Sequence, residues 1–436
     1  MDHRILIVVH GWPPTARAGA EIHAWRTAIG LSQRGTDVRV LAFEAHGRGP
    51  LVWSETTQDG LVVRRVSGDL ELGQEPFRAS YDNAAVAGVM QDLVRTWRPQ
   101  LVYVFSGYLM SSSVARVAID AGIPVVINLT DYWWFCHTIT LLKPDGTRCT
   151  GPTLWGCAEC LAERRRRWRL PARVWPAAAR SFWRAVPGVP GLRTILGVET
   201  IEVRRAVTQS VLRGVSACIA PSRYLANFYL DQGVDPGIIH TFRQGLDLDR
   251  CPLRVPSDRL RFGYTGQMKA HKGVARLLEA WSMLRGPRAR TLLLYGSSAG
   301  EEAFGARMQE LASQLQNVEW RGPFRSDQVW DVMAGLDVVI IPSTWVENSP
   351  NVILECQAMG VPVVGSNIGG IAELVRHDHD GLLFETDSAA DLARQLQRLL
   401  DEPDLVGRLS ANAPPIRTTE DELRDVMALF RRFLPA

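Results

Sequence analysis

Short apolar, β-branched runs recur along this chain, separated by longer stretches with helical spacing. Ile5–Val9, Asp37–Phe43, Leu101–Phe105, Val125–Leu129 and Ala217–Ala220 each read as a strand, and their near-continuous apolarity fits burial on both faces. Glu21–Gln33 carries a helical pattern, and Arg34-Gly35-Thr36 supplies the turn into the next strand. A second set follows at Leu260–Thr265, Thr291–Tyr295, Val318–Trp320, Asp337–Ile341 and Val361–Gly365. Between the sets, Gln244–Asp247 and Pro252–Pro256 lapse into loop signals. Alternating strand and helix signals favour parallel sheets. The pattern predicts an α/β chain of two doubly wound, Rossmann-like domains, residues 1–255 and 256–415, followed by a segment 416–436 whose Glu420–Leu434 stretch is helical.

Composition narrows the class without changing this picture. At 436 residues the chain is long enough for two separate cores. Hydrophobic content of 46% with 22% charged residues is that of a globular protein. A formal charge of +3 gives no argument for nucleic acid. Met1–Val9 reads as one short strand and not as a signal peptide, and no apolar run reaches membrane-span length. A cytoplasmic location is the expectation, in which seven cysteines need not form disulfides.

The most informative chemistry lies between Pro342 and Val364. Asp337–Ile341 is a strand, Asn351–Met359 a helix ended by Gly360, and Val361–Val364 opens the next strand. Glu347 therefore lies beyond a strand's carboxyl end, and Glu355 sits on the following helix. Open α/β sheets bind ligands in that crevice, and a helix start near Ser349, Asn351 and Val352 offers N–H groups to an anion. The bland alternative is two solvated carboxylates. The run from Pro342 to Pro362, with Gly369-Gly370 and Asp380–Phe384, resembles the donor site of the retaining glycosyltransferase family 4. Its two glutamates are separated by seven residues, as Glu347 and Glu355 are. The resemblance implies the GT-B fold, with an interdomain cleft and a C-terminal helix crossing back onto the first domain.

Other segments extend the resemblance. Gly266-Gln267-Met-Lys269-Ala-His271-Lys272-Gly273 is a glycine turn after a strand; Lys272 would stabilise a diphosphate, and Gln267 stands where the family usually has arginine. A surface lysine at a helix start is the alternative reading. On the acceptor side, Gly19 matches one of a paired glycine motif and Ala20 replaces the other, with Arg17 and His23 as candidate contacts. His23 fits a packing role within its helix equally well. Thr130 replaces a histidine that relatives place before Asp131-Tyr-Trp. Asp131 is then the candidate for orienting the acceptor hydroxyl, or else a cap for the next segment.

Residues 132–198 read as an insertion with two features. Cys136, Cys149, Cys157 and Cys160, the last two as Cys-Ala-Glu-Cys, fit a structural zinc; four unrelated buried thiols are the alternative. Arg164–Arg167, Trp168 and Arg169 lead into a stretch without acids before Glu199. A helix opened by Pro176 would place Ala179, Phe182, Trp183 and Val186 on one face, opposite Arg180 and Arg184. That combination suits peripheral contact with the inner face of the cytoplasmic membrane through Arg164–Val186. A helix packed on its own domain is the other reading, and no nucleic-acid module accompanies the arginines.

Together these readings imply a retaining transfer of a sugar from a nucleotide-diphosphate donor to a hydroxyl of a glycan or lipid-linked acceptor, in cell-envelope polysaccharide synthesis. Glu347, Asp131 and Lys272 are the expected catalytic residues. Gly19, Gly266, Gln267, Lys272, Glu347, Ser349, Asn351, Val352 and Glu355 are the expected donor contacts. No cofactor is required for that chemistry. A nucleotide-sugar epimerase of GT-B fold and a non-catalytic nucleotide-sugar-binding scaffold remain alternatives.

Overall fold

A computed structural model describes residues 3–16, 19–164, 169–170, 173–186, 191–249, 251–255, 257–287 and 289–435. The chain forms two compact units: Met1–Pro221, Leu225–Phe242 and Leu423–Ala436 make the first, Ser222–Tyr224 and Arg243–Glu422 the second. Residues 243–255 belong to the second unit because specific bonds hold them there. Arg254 pairs with Asp337 at 2.8 Å, Val255 N–H donates to the Ala334 carbonyl at 3.0 Å, and Leu246 bridges to Thr418.

In the first unit the described residues form β1 (Arg4–Val9), β2 (Asp37–His46), β3 (Val52–Gln58), β4 (Leu61–Gly68), β5 (Leu101–Phe105), β6 (Val125–Asn128), β7 (Ala217–Ala220) and β8 (Ile239–Thr241). Their order across the sheet is β3-β4-β2-β1-β5-β6-β7-β8, parallel except where β3 runs against β4. The periodicity did not reveal β3: Val-Trp-Ser-Glu-Thr-Thr-Gln lies on the sheet's edge and is exposed on both faces, so it shows no alternation. Ile5, Ile7 and Val9 of β1 share a core with Ala24, Ala28 and Leu31 of the helix Gly19–Ser32. Leu423, Val426, Leu429 and Phe430, from the helix Thr419–Phe430, complete that core. Gly30 permits this approach, since a Cβ there would collide with Leu423 Cδ1.

The second unit holds β9 (Leu260–Thr265), β10 (Arg290–Tyr295), β11 (Val318–Gly322), β12 (Val338–Ile341), β13 (Val363–Ser366) and β14 (Gly381–Phe384). The order is β11-β10-β9-β12-β13-β14, all parallel. From β9 the chain winds one way to β10 and β11, and from β12 the other way to β13 and β14. The β9–β12 boundary is therefore a topological switch point, where the carboxyl-end loops diverge and leave a crevice. In the first unit the equivalent boundary lies between β1 and β5.

The Cys-rich insertion has a small core of its own. Cys157, Ala158 and Ala162 from the helix Leu154–Glu163 pack with Trp183, Val186, Leu196, Val198 and Ile201. This corrects the expected membrane face of the helix Pro176–Ala185. Trp183 is 7% exposed and Val186, just beyond the helix, 2%, because the lobe needs their apolar area for its own core. Among the apolar residues expected on that face, Phe182 remains exposed, as do Leu170, Val174, Trp175 and Ile195 nearby. Arg165, Arg166, Arg167 and Trp168, and the side chain of Arg180, lie outside the described residues. Among the described residues no helix is long and apolar enough to cross a membrane.

Candidate active site

Two loops of the second unit flank the β9–β12 switch point. The first, after β9, passes through Gly266 and Gln267, turns at Ala270–Lys272 and enters the helix Val274–Met283. Tyr264 OH donates to the Gln267 carbonyl at 2.6 Å and fixes the turn. Gly273 joins turn to helix with φ +76°, and a Cβ there would strike the Pro342 carbonyl of the second loop. Thr344 N–H donates to the His271 carbonyl at 2.9 Å, so the loops are also tied backbone to backbone.

Glu347 is the centre of this junction and is 6% exposed. Its Oε1 accepts from Lys272 Nζ at 2.6 Å, Trp345 Nε1 at 2.7 Å and Ser343 Oγ at 2.9 Å. Burial pushes the Glu347 carboxyl up, but the Lys272 charge and these hydrogen bonds outweigh it and hold the group below its ordinary range. Lys272 Nζ also lies 4.8 Å from the centre of the Trp345 ring, whose edge meets His271 at 5.3 Å between centroids. Burial and the adjacent ammonium lower His271 to about 4, so it is neutral at pH 7.

Behind Glu347, Gly370 N–H donates to the Glu347 carbonyl at 2.7 Å, and Gly370 packs so closely that a Cβ would clash with the Asn348 carbonyl. Ser349 precedes the helix Asn351–Ala358; its Oγ is buried without a hydrogen-bond partner. No side chain caps that helix at Pro350, although the Ile353 N–H in its first turn donates to the Pro350 carbonyl at 3.0 Å. Glu355 lies half-buried one turn further on. A fixed carboxylate, an ammonium and an uncapped helix start suit a ligand with hydroxyls at one end and an anion at the other. Gln267 is exposed on the turn between β9 and Lys272.

The first unit treats its predicted residues differently. Gly19 opens its helix, while Arg17 lies outside the described residues. His23 is 5% exposed, with Nδ1 3.2 Å from Asn128 Nδ2 and its ring edge-on to Phe105 at 5.2 Å between centroids. The helix turns its side chain onto the sheet. Asp131 accepts from Ser106 Oγ at 2.6 Å and Thr130 Oγ1 at 3.2 Å on one oxygen, and from Trp133 N–H at 2.8 Å on the other. Oδ1 thus fixes the local turn, and Oδ2 ties that turn to the loop after β5. Sequence reasoning missed His10, whose Nε2 lies 3.3 Å from buried Glu21 Oε1 directly after β1. Burial opposes its charge, yet Glu21 and then Asp131 raise its pKa overall. No spacing in the sequence signals that pair.

Cys136, Cys149, Cys157 and Cys160 are free thiols gathered in the insertion. Among the described residues, no group of three His, Cys, Asp or Glu is placed to hold a metal ion. Cys136 Sγ instead meets Thr138 Oγ1 at 3.1 Å, and Cys149 Sγ the Gly151 carbonyl at 3.3 Å. Burial pushes Cys157 up to about 11 and Cys160 to about 12.

Two doubly wound α/β units, with a crevice at the second unit's switch point, have the plan of GT-B glycosyltransferases. Residues 17–250 match the description "Glycosyltransferase Family 4" and residues 259–402 "Glycosyl transferases group 1"; the chain belongs to glycosyltransferase family 4. It is 33% identical over 422 residues to a D-inositol 3-phosphate glycosyltransferase of Rhodococcus jostii, covering 92% of this chain and 81% of that protein. The fold is shared with Anabaena HepE, solved with UDP and glucose, at TM-score 0.67 and 18% identity over 99% of this chain and all of that one. Sucrose-phosphate synthase of Thermosynechococcus elongatus aligns at TM-score 0.67 and 17% identity over 99% of this chain and 98% of that one.

Proposed function

We propose that the chain transfers a sugar from a nucleotide-diphosphate sugar to a hydroxyl group, with retention at the anomeric carbon. The observation that carries this reading is the Lys272–Glu347 pair beside an uncapped helix start at the second unit's switch point. Glu347 binds hydroxyls of the donor sugar, and Glu355 the ribose. Lys272, the Gln267 amide and the N–H groups at Asn351 and Val352 stabilise the leaving diphosphate as its negative charge grows. The acceptor O–H bond breaks as the new C–O bond forms on the face the diphosphate leaves, and the proton passes to the departing phosphate oxygen. No side chain is assigned as a covalent nucleophile.

A glycan or lipid-linked molecule of cell-envelope polysaccharide synthesis is the proposed acceptor. Similarity to the Rhodococcus jostii enzyme supports testing D-inositol 3-phosphate beside it. The exposed Val174, Trp175 and Ile195 with Arg173, Arg184 and Arg193 support peripheral docking on an anionic membrane. Thermal shift against UDP-glucose, UDP-N-acetylglucosamine and GDP-mannose is the first test, followed by product analysis with membrane extract and with inositol 3-phosphate. Stabilisation by one donor and a glycosylated product are expected. Donor binding without transfer would leave a scaffold, and conversion of the sugar without acceptor would indicate an epimerase. Co-sedimentation with anionic vesicles should fall for Trp175→Ser with Val174→Ser; an unchanged pellet would remove the membrane reading.

A further inference from the structure

Lys272 has one positive charge and, on the transferase reading, two claimants. In the structure it serves Glu347 at 2.6 Å; with a donor in place it also serves the diphosphate. A buried carboxylate that loses its cation is strongly destabilised and takes up a proton instead. A protonated Glu347 would accept hydrogen bonds from sugar hydroxyls only weakly, without the charge that strengthens them. Something other than Lys272 must therefore keep it ionised.

We propose that Trp345 is a positioning residue that keeps Glu347 ionised and fixed while Lys272 is drawn toward the donor diphosphate. This rests on the transferase reading. The indole Nε1–H lies 2.7 Å from the same Oε1 that Lys272 and Ser343 reach. An indole N–H is a donor only, so its bond to Oε1 is strongest when Glu347 is ionised and weakens when the carboxyl takes up a proton. The Ser343 hydroxyl can rotate to donate or accept and makes no such selection. Trp345 also touches both loops, with its ring 4.8 Å from Lys272 Nζ and 5.3 Å from His271 between centroids. Among the described residues, the titratable groups facing Glu347 include His271 and Lys272 from the loop after β9 and Tyr264 from β9 itself. His271 and Tyr264 are neutral at pH 7, which leaves Lys272 as the one cation among these described groups.

The test is Trp345→Phe, which keeps a ring beside Lys272 and His271 and removes the N–H. In turnover of the nucleotide sugar that stabilises the wild type, kcat should be near normal at pH 8 and fall about tenfold at the acid end, as its acid limb moves up by roughly one pH unit. The donor KM should change little at pH 8. Ser343→Ala should move the limb less, and Trp345→Leu should lower activity at every pH. A uniform loss in Trp345→Phe with an unmoved limb would make the residue merely structural and overturn the inference. A second arm needs no turnover. The difference in Tm between wild type and Trp345→Phe should be present at pH 7 and close as pH falls through the Glu347 titration below about 4.5. A pH-independent difference would overturn the inference even if the chain transfers sugar. If the wild type turns over no nucleotide sugar, the transferase reading fails, and the stability arm still decides whether Trp345 fixes the charge of Glu347.

Discussion

Lys272 and Glu347 stand 75 residues apart in sequence and 2.6 Å apart in space, joined across the two loops of the β9–β12 switch point. With side-chain exposures of 21% and 8% the pair is well shielded, so each partner depends on the other. Lys272→Met should cost about 3 kcal/mol by leaving a buried carboxylate unpaired. Lys272→Met with Glu347→Gln should recover part of that loss without restoring activity. Denaturant unfolding of the single and double variants checks both statements; additive losses would show that the two groups do not interact.

Acid sensitivity should begin above the carboxylate range. Burial and neighbouring cations lower His137 to about 3 and His271 to about 4. A histidine with a depressed folded pKa contributes stability that is complete above its unfolded value near 6.5. That stability is lost as pH falls toward the folded pKa, at about 1.4 kcal/mol per pH unit for each group. His10, raised by Glu21, acts in the opposite sense, and its contribution is lost as pH rises through its folded pKa. Tm should therefore decline between pH 6.5 and 4, and His271→Gln should flatten that decline.

Gly30 is the seat of the C-terminal helix. A side chain there meets Leu423, which is 2% exposed in the first unit's core. Gly30→Val should destabilise by about 1–3 kcal/mol through overpacking, and Leu423→Ala in the same chain should relieve part of it. Chemical unfolding of the four-member cycle would show whether the two changes couple.

Thiol reactivity should follow burial. Cys157, Cys160 and Cys218 are pushed up to about 11, 12 and 12, all with burial as the first cause. At pH 8 they should be alkylated far more slowly than the partly exposed Cys149 and Cys251. Mass spectrometry after brief iodoacetamide treatment gives the order, and early labelling of Cys157 would contradict the packing of the insertion.

The sequence by itself determined the two-sheet α/β plan, because strands covered on both faces must be continuous apolar runs, as in Ile5–Val9 and Val338–Ile341. It also determined the Glu347 loop and the Gly273 turn, whose chemistry is local: a strand end, a positive-φ glycine and a helix start lie within a few residues of one another. The tertiary structure alone decided where side chains point and what they meet. His23 turns into the sheet, the oxygens of Asp131 are taken by Ser106, Thr130 and Trp133, and Trp183 and Val186 form a core instead of facing outward. The reason is physical: a residue's partners come from distant segments, and residue type and spacing carry no record of which of them arrives. Trp345 shows this most plainly, since its place between Lys272 and Glu347 exists only once two loops, far apart in the chain, have met.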